Sequence, residues 1–81
     1  MTLSIELDES DPSIHKLVRL YGVERTQQLV GETMRECGIA GLQRPNDRLK
    51  FGGALIKKGG LLEVVGRAIR IQAILQGARD E

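Results

Sequence analysis

Apolar residues in this chain change their period along its length. Leu3, Ile5 and Leu7 alternate with Thr2, Ser4 and Glu6, the period-two pattern of a half-buried strand. Ser10 and Asp11 are both suited to cap a helix, and Pro12 suits the first helical position. From there Ile14, Leu17, Val18 and Tyr21 follow at three- and four-residue steps, predicting a helix over about 12–21 that Gly22 ends in a left-handed conformation. A second helix is predicted over 24–37, its inner face Val23, Leu29, Val30, Thr33, Met34 and Cys37, with Gly38 and Gly41 ending it.

Residues 42–50 break the pattern. Pro45, Asn46 and Asp47 are turn-prone and stand among Arg44, Arg48 and Lys50, so the segment reads as an exposed basic connector. Residues 51–58 lie between the pairs Gly52-Gly53 and Gly59-Gly60 and fit either a short helix or a strand. Over 61–76 the helical period returns. Leu61, Val64, Val65, Ala68, Ile71 and Leu75 cover one broad side, Glu63, Arg67 and Arg70 another, and Glu63 and Arg67 are spaced to pair as i,i+4 neighbours.

The expected architecture is therefore mainly α: a short N-terminal β-strand followed by three or four helices. It forms one small domain divided into 1–41 (strand plus two helices), 42–60 (basic connector) and 61–77 (C-terminal helix). Leu62, Ile69 and Ala73 carry the last apolar stripe beyond a half-turn, and a helix apolar on most sides needs cover on most sides. Tyr21 and Phe51 are the only rings among 81 residues, so an aliphatic core this small is hard to close alone. A homodimer sealed by Leu61, Val64, Val65, Ala68, Ile71 and Leu75 is the expected remedy.

Charge sharpens the expected partner. Six of the eleven acids lie in the two ends, whereas all twelve bases fall between Lys16 and Arg79. The body from Pro12 to Arg79 holds twelve bases against five acids, a formal +7, although the whole chain is +1. A basic body of this kind fits an anionic partner. The densest basic run, Arg44, Arg48, Lys50, Lys57 and Lys58, contains one acid, Asp47, and supplies the side chains that contact phosphates.

The alternating strand, the helix ending at Gly22 and the helix beginning near Glu24 together resemble the ribbon-helix-helix family of small DNA-binding dimers. That resemblance implies paired strands in the major groove with Thr2, Ser4 and Glu6 toward the bases. The turn Tyr21-Gly22-Val23 before Arg25-Thr26 also resembles a helix-turn-helix. Gly53-Ala54-Leu55-Ile56-Lys57-Lys58-Gly59-Gly60-Leu61 is similar to a short motif of TraD-type accessory proteins of plasmid conjugal transfer. That likeness implies a role on DNA beside a relaxase, with Lys58 as the matching base.

Chemistry is expected to be absent. His15, the single histidine, has no helically placed ligand partners, and Cys37 reads as a small buried hydrophobe at the end of the second helix. The glycine pairs lack the Lys-Ser/Thr ending of a phosphate loop, so no nucleotide, metal or other cofactor is expected. One cysteine fits a reducing cytoplasmic setting, and no apolar run approaches a membrane span. The expected function is a homodimeric DNA-binding or DNA-associated accessory or regulatory protein. Thr2, Ser4, Arg44, Arg48, Lys50, Lys57 and Lys58 are its expected nucleic-acid contacts. The alternative is a helical protein-protein interaction module, an adaptor for an acidic protein or an antitoxin-like masking protein.

Overall fold

In a computed structural model, residues 11–79 are described, and they hold four helices in order: α1 Pro12–Tyr21, α2 Val23–Cys37, α3 Pro45–Lys58 and α4 Gly60–Leu75. Among the described residues there is no strand. The expected architecture of a strand leading into ribbon-helix-helix-like helices is thereby corrected to four helices and no strand over residues 11–79. The segment predicted as the strand, 2–7, lies outside the described residues. A separate correction concerns α3, because the stretch predicted as a basic connector is mostly a helix of 14 residues. Pro45 occupies its first turn, where a missing N–H costs nothing, and Asp47 lies in that turn near the positive end of the helix dipole. The same proline and acid that read as a turn are thus helix-starting residues.

The chain divides into two compact units, Met1–Glu32 and Thr33–Glu81. In the first, Asp11 caps α1 by accepting a hydrogen bond from the Ser13 N–H at 2.9 Å, and Gly22 ends the helix with φ +85°. Ile14 and Leu17 are buried as their spacing predicts. On α2 the buried positions Thr26, Val30 and Thr33 recur at steps of four and three, and Val23, assigned to this face from sequence, is exposed at the helix start. The Thr26 hydroxyl is buried without a hydrogen-bond partner among the described residues.

In the second unit α2 ends in a Schellman turn. The Gly38 N–H donates to the Arg35 carbonyl at 3.2 Å and the Ile39 N–H to the Met34 carbonyl at 3.0 Å. Helices α3 and α4 then form an antiparallel hairpin. Its linker is Gly59, and Gly59 and Gly60 both have positive φ, +74° and +61°, which lets so short a connection reverse the chain. At the other end the Arg79 N–H donates to the Asn46 side-chain oxygen at 3.0 Å, and Ala78 is buried with Leu49 and Ala73. Leu49, Phe51 and Leu55 of α3 and Val65, Ile69 and Ala73 of α4 are buried in this unit.

The hairpin crosses where two glycines meet. A Cβ on Gly66 would lie 2.5 Å from the Gly52 carbonyl oxygen and 2.9 Å from the Ile56 nitrogen; one on Gly52 would lie 2.7 Å from the Gly66 oxygen. Backbone therefore touches backbone. Glycine inside a helix costs about 1 kcal/mol relative to alanine, and the close approach of α3 and α4 is what requires it here.

Candidate basic groove and apolar helix face

Two surfaces of the second unit combine chemistry with exposure. The first is a groove of about 520 Å³ lined by Glu36, Cys37, Lys50, Gly53, Ala54, Lys57 and Lys58. Lys50 and Lys57 are exposed and seven residues apart, two helical turns or about 10 Å along α3. Between them Gly53 and Ala54 form a low floor, and a Cβ on Gly53 would meet nothing within 4 Å. Lys58 approaches both oxygens of Glu36, at 2.8 and 3.1 Å, tying the end of α3 to the last turn of α2. An exposed pair like this contributes at most about 1 kcal/mol, but it holds the Lys58 ammonium at the groove edge.

Cys37 sits at the groove margin, half-buried, its S–H donating to the Thr33 carbonyl at 3.0 Å. Burial pushes its thiol above the ordinary cysteine value, and Glu36 and Asp47 push the same way. Its own backbone N–H, which favours the thiolate, and the Lys50 ammonium act in the opposite sense. The balance favours the protonated thiol, a weak nucleophile. Among the described residues no cluster of histidine, cysteine and carboxylates could hold a metal ion.

Of the residues expected at a nucleic-acid interface, Lys50, Lys57 and Lys58 come together in this groove. Arg44 and Arg48 do not line it. Arg44 stands exposed before α3, and Arg48 is half-buried with its guanidinium donating to the Leu42 carbonyl at 3.5 Å. Thr2 and Ser4 lie outside the described residues.

The second surface is the outer side of α4. Leu61, Val64, Ala68, Ile71 and Leu75 are exposed in steps of three and four, the a and d positions of a heptad. Leu75 is 81% exposed and Ile71 60%. Ile74 extends this face toward a shallow groove of about 450 Å³ that also involves Ile56, Arg67, Arg70 and Ile71. Arg67 pairs with Glu63 at 3.5 Å, as their spacing predicts. Val65, grouped from sequence with the outward residues, is buried within its own chain. The feature missed in the sequence was Gly66: a glycine inside so apolar a helix marks a close backbone approach, and that approach points the Val65, Ile69 and Ala73 side inward.

No described helix is long and apolar enough to cross a membrane. No family model matches this chain, and no curated protein or solved structure is significantly similar to it.

Proposed function

We propose that this protein is a non-catalytic, DNA-associated accessory or regulatory protein of the cytoplasm that works as a homodimer and docks on duplex phosphates through the α3 groove. The observation that carries this reading is the convergence of Lys50, Lys57 and Lys58 over the low floor of Gly53 and Ala54. Two exposed lysines at positions about 10 Å apart along one helix face have the charge and reach to contact phosphates of one strand, and short residues between them let the backbone approach. Contacts of this type position a protein on DNA without reading its sequence. Fluorescence anisotropy on a random duplex tests the reading: log affinity is expected to fall against log salt by about 0.9 per phosphate neutralised, and Lys50→Glu with Lys57→Glu to abolish binding. No binding to duplex at low salt would eliminate the proposal.

The alternative, a helical protein-protein interaction module, is favoured by a different observation, the exposed apolar face of α4. In that reading an acidic helix seats on Leu61 to Leu75 with Arg67 and Arg70 at its flank.

A further inference from the structure

The outer face of α4 carries an apolar patch as large as the largest that ordinary monomers show. Leu61, Val64, Ile71, Ile74 and Leu75 are each more than half exposed. Together they present on the order of 500 Å², at the upper end of the largest patch on an ordinary monomer. The opposite side of the same helix, with Val65, Gly66, Ile69 and Ala73, is already buried. The exposed seam is thus a second, complete apolar stripe on one helix.

We infer that this seam is the interface with a second copy of the chain, the two α4 helices packing antiparallel about an axis near residues 69 and 70. The inference makes explicit the homodimer in the proposed function and depends on no DNA contact. Self-pairing requires a patch complementary to itself. Every seam position is apolar, and of the two cations beside it Arg67 is met by Glu63 of its own chain and Arg70 is half-buried, so apolar contact dominates what the face can offer a partner. Two copies of this patch bury on the order of 1,000 Å², the lower bound for a specific interface.

Direction follows from side-chain size. Antiparallel pairing sets Ile71 of each chain against Ala68 of the other and Leu75 against Val64, large against small in each layer. Parallel pairing sets Ala68 against its copy and leaves a gap in the centre, which close-packed interfaces do not tolerate. It would also align the two helix dipoles and bring both copies of Lys57 and Lys58 to one end.

Sedimentation of the full chain without DNA tests the pairing. A dimer is expected across the micromolar range, with Ile71→Glu weakening association on the order of 100-fold or more while its helical circular dichroism is retained. The second measurement uses spin labels on Gln76→Cys in a Cys37→Ser background: antiparallel helices separate the two labels by about 20 Å along the axis. A monomeric wild-type chain at 100 μM, on the order of concentrations at which weak dimers form, would overturn the inference, as would a dimer indifferent to Ile71→Glu. Labels lying side by side would overturn the antiparallel arrangement. Failure of DNA binding with an intact dimer would instead eliminate only the docking proposal.

Discussion

Helices α2 and α4 are nearly equal in length, 15 and 16 residues, and differ in how many faces they must bury. On α2 the fully buried positions Thr26, Val30 and Thr33 form one stripe, with Glu24, Arg25, Glu32 and Arg35 exposed elsewhere around it. On α4 a buried stripe and an exposed apolar stripe lie back to back. A helix with one apolar face declares its orientation by its periodicity. A helix with two does not, and some other feature must choose between them. In α4 that feature is Gly66, which meets the Gly52 carbonyl and turns one stripe toward α3.

The largest expected effect tests that choice directly. Gly66→Ala would press a methyl group onto the Gly52 carbonyl at 2.5 Å, backbone that cannot swing aside, and should destabilise by about 3 kcal/mol through overpacking. Urea denaturation gives the comparison, and an unchanged midpoint would mean that α4 can turn its other face inward at no cost. The contrasting substitution on α2 is Thr26→Val. It replaces a buried, unpartnered hydroxyl by a methyl of the same size, so a gain of about 1 kcal/mol is expected in the same denaturation series. A loss of stability instead would show that the Thr26 hydroxyl has a partner.

A smaller effect distinguishes two neighbouring glycines. Gly53 is one residue from Gly52 but faces open space, so Gly53→Ala should raise stability by about 0.5–1 kcal/mol, the ordinary helix preference for alanine. A penalty resembling that of Gly66→Ala would remove the contrast between a crossing glycine and a solvent-facing one.

The smallest effect concerns pH. Burial raises the Cys37 thiol, so the folded chain holds that proton to higher pH than the unfolded chain does. The associated stability is fully present below the unfolded thiol value and is lost as pH rises through the folded one. The stability difference between wild type and Cys37→Ser should therefore shift against the wild type as pH rises above about 8.5. A difference independent of pH would remove the burial argument for this residue.

What was legible in the sequence tracks the number of competing readings at each place. The start of α1 at Pro12 and its end at Gly22 could be read because capping chemistry is local. So could the span of α4 and its Glu63–Arg67 pair, set by periodicity and spacing. The basic residues Lys50, Lys57 and Lys58 were identifiable as charges, but their meeting in one groove needed α3 to be a helix. Pro45, Asn46 and Asp47 serve equally in a turn or a helix start, and Gly52 and Gly53 discourage a helical reading unless a neighbouring backbone is known to lie against them.

By itself, then, the order of residues determined the ends of α1, α2 and α4, the aliphatic and ring-poor character of the interior, and the concentration of positive charge between the acidic ends. Tertiary structure alone decided that 45–58 is helical, that Val65 faces inward while Leu61, Val64, Ala68, Ile71 and Leu75 face outward, and that three lysines share a groove. Those outcomes depend on contact between α3 and α4 at Gly52 and Gly66, residues 14 positions apart in sequence and touching in space.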